Sequence, residues 1–295
     1  MKTILKKNPV IWCLLKRVQA YLVGFISTKI YVAKRWKKKF LVELNIDKPE
    51  TFNEKLQYLK VYGKQTKLHV QCADKLAVRD YVAQNIGKIY LNRLIAQFDS
   101  IAAFKNYNLP SKCVVKTNHD SGTVVLIKGD ADNKPDFNAL MCAFKINYGK
   151  LSKEWVYSDI KPKVLVEELL EAEDGKDLKD YKVFCFHGVP KLIQVDLDRF
   201  EDHKRNFYDL DWNLLDLEIE YPSVDVNVSK PALLEEMIKL SAKLAAPFNH
   251  VRVDWYVVNN KLIFGEMTFF HESGFGRFNN KVWEIKMGEW IRLDI

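Results

Sequence analysis

The chain has 295 residues, 48% hydrophobic and 13% aromatic, enough to bury one or two sizeable cores. Much of its formal net charge of +8 lies in the first 40 residues, and no recognised nucleic-acid-binding motif follows, so no nucleic-acid partner is expected. Cys13, Cys72, Cys113, Cys142 and Cys185 are scattered and lack CxxC spacing, and no histidine pairs obviously with one. That pattern argues for reduced, buried thiols in a cytosolic protein rather than a thiol nucleophile.

Residues 1–48 read as a basic, partly apolar helical segment. Lys2, Lys6, Lys7, Lys16, Arg17, Lys29, Lys34, Arg35, Lys37, Lys38 and Lys39 alternate with apolar runs at 10–15 and 20–26. Neither run is long enough to span a bilayer. Lys16 and Arg17 interrupt the core of a candidate signal peptide, which disfavours secretion. Two readings stand side by side. One is a basic amphipathic surface on an anionic membrane or a lipid-linked glycan, formed by residues 1–40. The other is a pair of helices packed on the main body with solvated lysines.

A helix is expected from Thr51, capped by Thr51 or Asn53, with Phe52, Leu56, Leu59 and Val61 at near-helical spacing. A second is expected over 73–83, ending near Gly87. Residues 112–116 read as a buried strand that runs through Thr117-Asn118-His119-Asp120-Ser121-Gly122-Thr123 into a strand at 124–128. A strand–polar loop–strand hairpin can wrap an anion with N–H groups and hydroxyls, with Lys116 as a point charge. It is not a P-loop, because the GxxxxGK[ST] order is absent and a strand rather than a helix follows. Phe137, Leu140, Met141 and Phe144 form a helical stripe. Strands are expected at 162–170 and 204–212, and a hairpin of 181–187 and 191–196 around Gly188 and Pro190. Ser229-Lys230-Pro231 opens a helix to about residue 246. A helical start, a strand-rich middle and a mixed end suggest an α+β fold, not a parallel doubly wound sheet.

The last hairpin carries the sharpest chemical signal. Alternate side chains of a strand share a face, so Arg252 and Asp254 point one way on the strand at 251–258, and Glu266 and Thr268 point one way on the strand at 262–269. Two carboxylates and a hydroxyl on apolar strands need a cation. Oxygen-only ligands favour Mg²⁺ or Mn²⁺, and the adjacent arginine suits a phosphate. A two-residue turn at Asn259-Asn260 would pair Asp254 with Gly265 and send the two carboxylates to opposite faces. A shared cation therefore requires an odd loop or a β-bulge between these strands.

Taken in order, a set of segments resembles a known family. They are Thr51-Phe52-Asn53-Glu54-Lys55-Leu56-Gln57, Cys72-Ala73-Asp74-Lys75, Val115-Lys116-Thr117-Asn118-His119, Asp180-Tyr181-Lys182-Val183-Phe184-Cys185-Phe186, Asp198-Arg199-Phe200, His203-Lys204-Arg205-Asn206-Phe207-Tyr208-Asp209 and Phe264-Gly265-Glu266-Met267-Thr268. Over 49–290 the chain resembles the TupA-like branch of the ATP-grasp superfamily, common in bacterial surface-polysaccharide loci.

The resemblance implies an ATP-grasp fold. Its parts would be a helical N-terminal region (49–110), a nucleotide β-hairpin subdomain (111–170) and a C-terminal antiparallel-sheet subdomain for metal and substrate (171–295). It implies ATP with Mg²⁺ or Mn²⁺. Lys75, Lys116, Asn118, Ser121 and Gly122 would meet phosphates, with Lys182 and Arg252 neutralising charge beside them. Residues 164–170, with Glu167, Glu168 and Leu170, would carry adenine on backbone groups, and Asp180 the ribose. Asp254, Glu266 and Thr268 would hold the metal, with Thr268 where the family commonly has Asn. Asp120 stands where related loops often carry Gly, and a carboxylate there repels a triphosphate unless it points away. Asp198, Arg199, His203, Arg205, His271, Ser273 and Gly274 would face the acceptor.

The implied activity is ATP-dependent carboxylate–amine ligation through an acylphosphate, during surface-polysaccharide biosynthesis or modification. The substrates would be a sugar or lipid-linked glycan and an amino acid or other amine. The site of action would be the cytoplasm, peripheral to the inner face of the membrane. The alternatives are a sugar kinase using the same nucleotide site, and a glycosyltransferase. Asp196-Leu197-Asp198 and Asp130-Ala131-Asp132 match the DxD spelling of the latter, a motif short enough to arise by chance.

Overall fold

The computed structural model describes residues 9–129, 136–171, 178–197, 203–224 and 228–293. It divides into two compact units. The first comprises Met1–Lys34, Gln65–Val78 and Asn92–Leu169, and the second Arg35–Lys64, Arg79–Leu91 and Leu170–Ile295.

The first unit is built on a four-stranded antiparallel sheet of β1 (Leu94–Phe98), β2 (Lys112–Thr117), β3 (Val124–Lys128) and β4 (Val164–Glu167), in the order β1-β4-β2-β3. One face carries Cys113, Val115, Val164 and Val166, which pack with Phe104 and Leu140 into a core. The other face carries Val114 and Lys116 on β2 beside Leu165 and Glu167 on β4. Two helices enter the chain before this sheet, α1 (Pro9–Phe25) and α2 (Thr28–Phe40). The inner face of α1 packs Cys13 and Ala20 on Cys142, Ile146 and Leu151. Lys153 Nζ donates to Ile26 O at 2.6 Å and Gly24 O at 3.4 Å, supplying a cation and a donor where the C-terminal carbonyls of α1 lack partners.

The second unit centres on a five-stranded antiparallel sheet of β5 (Asp180–Phe186), β6 (Val189–Leu197), β7 (Lys204–Tyr208), β8 (His250–Val258) and β9 (Lys261–Thr268), ordered β7-β6-β5-β8-β9. The helix Leu234–Ala245 buries Met237, Leu240, Ser241 and Leu244 along one stripe and covers one face of this sheet. Trp255 is fully buried, and its Nε1 donates to Ser241 Oγ at 2.8 Å. Successive residues alternate faces, so burying Val251, Val253 and Trp255 toward the helix commits Arg252 and Asp254 to the other side. The helix Phe52–Tyr62, numbered α3, starts with a capping box between Thr51 and Glu54. Thr51 is thus the cap, while Asn53 turns inward.

Local chemistry overrode periodicity in several places. The helix expected over 73–83 is two helices, α4 (Lys67–Ala73) and α5 (Val78–Asn85). Asp74 Oδ1 accepts from Leu76 N at 2.8 Å and Ala77 N at 3.3 Å, an Asx turn that breaks the run. The strand expected over 204–212 stops at Tyr208, because Asp209 Oδ1 caps a turn through the backbone N–H groups of Asp211 and Asn213. The helix expected from Ser229 begins at Leu234.

The β8–β9 hairpin combines a two-residue turn with a bulge. Asn259 and Asn260 have φ of 51° and 54°, which pairs Val258 with Lys261 and Trp255 with Phe264. Beyond Asp254 the register shifts, and Val253 pairs with Met267 and Arg252 with Thr268. Gly265 and Glu266 together stand opposite Asp254. A Cβ on Gly265 would lie 3.1 Å from Asp254 O and 3.2 Å from the Tyr256 ring, so the bulge favours glycine. The bulge required for a shared carboxylate face is present.

Candidate functional site

Cross-strand register assembles a buried polar row on the open face of the five-stranded sheet. Arg205 pairs with Asp196, Asp196 with Asp180, Lys182 with Asp254, and Arg252 with Thr268. The Lys182 ammonium is ion-paired with Asp180, lies 3.0 Å from Asp196 and 4.0 Å from Asp254. Arg205 donates to Asp196 at 2.8 Å, to Ile219 O at 3.0 Å and to Glu272 at 2.9 Å. Burial works against the Asp196 carboxylate, but Lys182 and Arg205 hold it well below the usual range. The Asp254 carboxyl is pushed up to about 6 by burial, against the pull of Arg252 and Lys182.

Arg252 is the hub. Its Nε and Nη2 donate to the two oxygens of Asp254 at 2.7 and 2.6 Å. Nη2 also lies 3.1 Å from Thr268 Oγ1 and 3.5 Å from Glu266 Oε1. Burial opposes its charge, yet Asp254 and Glu266 hold the guanidinium above its usual pKa. One cationic nitrogen thus touches all three expected metal ligands. The donor set therefore fits a hard divalent cation: oxygen atoms only, converging from one face. Among the described residues of this row and its margin, Asp180, Asp196, Asp254, Glu266 and Glu272 outnumber Lys182, Arg205 and Arg252, which leaves room for added positive charge. Among the described residues no cluster of three or more acidic, histidine or cysteine side chains already forms a metal cage. Arg252 is the present counter-charge.

Buried polar atoms at this row also lack partners. Gln194 Oε1 and His271 Nε2 have no hydrogen-bond partner among the described residues. Arg252 Nη1 faces His271 Nδ1 at 2.8 Å, so Nδ1 accepts and the proton sits on Nε2. Burial, then Arg252 and Arg205, keep the His271 pKa well below its usual value, so the ring is neutral. His203 Nε2 lies 3.2 Å from Asp196 Oδ1, and its ring lies tilted by 36° against Tyr221, centroids 3.8 Å apart. A buried unmet donor and acceptor beside a charged row call for a partner that the described residues do not supply.

The turn His271–Gly274 is held by residues that sequence reasoning missed. Glu272, Ser273 and Gly274 have φ of 46°, 55° and 62°, three left-handed residues in succession. From α3, Gln57 donates to Ser273 O at 3.0 Å and Gly274 O at 2.5 Å, and Lys60 donates to Ser273 O at 2.8 Å and Oγ at 2.6 Å. Asn53 donates to Gly276 O at 2.7 Å. These three polar residues recur at helical spacing, which was the available signal.

In the first unit, Lys116 Nζ forms an ion pair with Glu167 at 2.7 Å on the face opposite the apolar core. Asn118 is engaged internally, donating to Asp74 at 3.0 Å and Lys161 O at 3.1 Å and accepting from Lys163 N at 2.7 Å. The amide of Asn118 is thus a structural clip between the Asp74 turn and β4. Lys75 Nζ donates to Asp120 O. The Asp120 carboxylate accepts from Thr117 Oγ1 and is buried, which turns its charge inward. Ser121 and Gly122 are exposed at the loop tip, with Gly122 at φ 89°. Glu168 N–H donates to Arg93 O at 3.0 Å and Glu168 O accepts from Asn92 at 2.9 Å, so the backbone of Glu168 is already used. Asp198 and Arg199, and Asp130 and Asp132, lie outside the described residues.

The family model described as TupA-like ATPgrasp matches residues 54–292. No curated protein matches the chain. Solved structures similar to it include D-alanine–D-alanine ligase from Helicobacter pylori, 17% identical over 75% of this chain and 61% of that one, TM-score 0.40. Another is L-amino acid ligase from Bacillus licheniformis, 12% identical over 75% and 49%, TM-score 0.43. A third is D-alanine–D-alanine ligase from Bacillus anthracis in complex with ATP, 15% identical over 68% and 54%, TM-score 0.38. The chain spans about half to three-fifths of the length of these proteins.

Proposed function

The chain belongs to the TupA-like ATP-grasp family, and on that premise we propose that it joins a carboxylate to an amine in an ATP-dependent reaction. The observation that carries this reading is the convergence of Asp254, Glu266 and Thr268 on one cationic nitrogen of Arg252. Such an oxygen set suits a hard divalent cation, and the arginine beside it suits a phosphate.

In this proposal Asp254, Glu266 and Thr268 hold Mg²⁺ or Mn²⁺. When bound, the cation screens phosphate charge and aligns the phosphates. Arg252 then turns from carboxylate counter-ion to phosphate donor, and Lys182 shares its ammonium between Asp180, Asp196 and the phosphates. Lys116 and the loop tip at Ser121 and Gly122 are proposed to neutralise phosphate charge, with Lys75 tying that loop down. Asp180 serves the ribose. A substrate carboxylate oxygen attacks the γ-phosphorus, the bond to the ADP oxygen breaks, and an acylphosphate forms. The amine nitrogen then attacks the acyl carbon, phosphate departs with the bonding pair, and the nitrogen loses a proton. No protein nucleophile is required; the residues supply alignment and charge.

His203, Arg205, His271 and the turn at Ser273 and Gly274 serve the acceptor in this reading. Its chemistry is a sugar carboxylate such as a uronic acid on a lipid-linked glycan, with an amino acid as amine. In this proposal the protein acts in surface-polysaccharide assembly at the cytoplasmic side of the membrane. Hydroxylamine separates this from phosphoryl transfer to a hydroxyl. With ATP, metal and a carboxylate substrate, a hydroxamate is expected; ADP with a phosphorylated sugar and no hydroxamate would establish a kinase instead.

A further inference from the structure

Helix α1 is apolar on two sides. Its inner side is the Cys13 and Ala20 face already packed on Cys142, Ile146 and Leu151. Its outer side presents Leu14, Leu15, Val18, Tyr21, Leu22 and Phe25, which recur at three- and four-residue steps. Leu14 is 58% exposed, Leu22 60%, Tyr21 68% and Phe25 74%. Surface apolar residues scattered singly need no explanation, but a continuous stripe along most of a helix does.

The charge around the stripe says what covers it. No Asp or Glu occurs before Glu43, while Lys and Arg are frequent over the same stretch. A second copy of the chain would bring the same acid-free surface and repel. An anionic surface is complementary. From Leu14 to Phe25 the stripe is about 18 Å long, and the helix is held by its other side and by the Lys153 contacts at its end. No described helix is long and apolar enough to cross a membrane. A helix fixed along one side and apolar along the other presents a line of contact to a flat apolar layer.

We propose that α1 is a docking helix that lies flat in the headgroup region of an anionic bilayer, burying Leu14, Val18, Leu22 and Phe25 among acyl chains while the neighbouring lysines and arginines meet lipid phosphates. The two readings of the N-terminal segment are then both satisfied, one by each side of the helix. The inference rests on α1 alone and stands independently of the ligase reading.

The test is flotation of the full chain with vesicles of mixed phosphatidylglycerol and phosphatidylcholine, and with phosphatidylcholine alone. The parent is expected to float with the anionic vesicles and to lose binding as salt rises. Leu14→Glu/Leu22→Glu, and separately Tyr21→Gln with Phe25→Gln, should weaken this by about tenfold or more while the melting temperature is unchanged. Val282→Glu, at an equally exposed apolar position elsewhere, should bind as the parent does. The proposal is overturned if the parent stays in solution with anionic vesicles at low salt, or if both outer-face variants bind like the parent. It is also overturned if sedimentation shows a dimer that those variants dissolve without any vesicle binding, which would give the face to a second copy.

Discussion

Lys116 sits beside a buried carboxylate, and that changes what its removal does. On sequence alone, Lys116→Ala should weaken ATP binding and leave the fold intact, because no buried partner would be stranded. Glu167, 2.7 Å away and buried, is such a partner. Removing the ammonium from beside it costs about 1–3 kcal/mol, so a loss of ATP binding in the single variant would mix two causes. The paired variant Lys116→Gln/Glu167→Gln separates them. Its urea midpoint should return near the parent's, while its affinity for MgATP stays low. Recovery of affinity together with stability would show that Lys116 meets no phosphate.

At the scale of elements, the β8–β9 hairpin decides whether two carboxylates can act together. The alternation of Arg252, Asp254, Glu266 and Thr268 made a shared face legible, and the even Asn259-Asn260 turn made a bulge necessary. Placing it needed the structure, because only the close approach of Gly265 to Asp254 O marks which residue is extra. Gly265→Val should therefore lower stability by about 1–3 kcal/mol and weaken the metal-dependent part of ATP binding more than the metal-free part. Equal loss of both would assign the bulge a packing role only. Other elements were less legible for a common reason. The break at Asp74 arises from one side chain bonding its own backbone, which apolar periodicity does not register. The polar stripe Asn53, Gln57 and Lys60 looks like a solvent face in sequence, yet its partners lie at residues 273–276, far along the chain. Strand content, the β2–β3 hairpin and the carboxylate hairpin were readable because each depends on local alternation. The tying of the His271–Gly274 turn to α3 was not, because it depends on contacts between distant segments.

Over the whole molecule, buried neutral histidines set the acid limit. Burial holds the His250 imidazole down to about 3 from its ordinary 6.5. A base with a depressed folded pKa binds more protons when unfolded. Its contribution is complete above pH 6.5 and is lost as pH falls from 6.5 toward 3, at about 1.4 kcal/mol per pH unit. Asp254, pushed up to about 6, works in the opposite sense between its ordinary 3.8 and 6. The difference between the parent and His250→Phe isolates the histidine: the urea midpoint of the parent should drop more steeply between pH 7 and pH 5. Parallel pH profiles would mean that the ring is solvated or already charged.

We propose the open face of the five-stranded sheet as a metal-nucleotide site. Thermal unfolding with ATP, with and without Mg²⁺, tests it most directly when the parent is compared with Glu266→Gln. The Glu266 side chain is 39% accessible whereas Asp254 is buried, so the substitution leaves the buried row in place. A ligand at about 100 times its dissociation constant adds about 2.7 kcal/mol. The parent should gain stability with ATP and Mg²⁺ together and much less with ATP alone, and Glu266→Gln should lose that metal-dependent gain. Equal stabilisation of parent and variant, or stabilisation by ATP that ignores Mg²⁺, would contradict it.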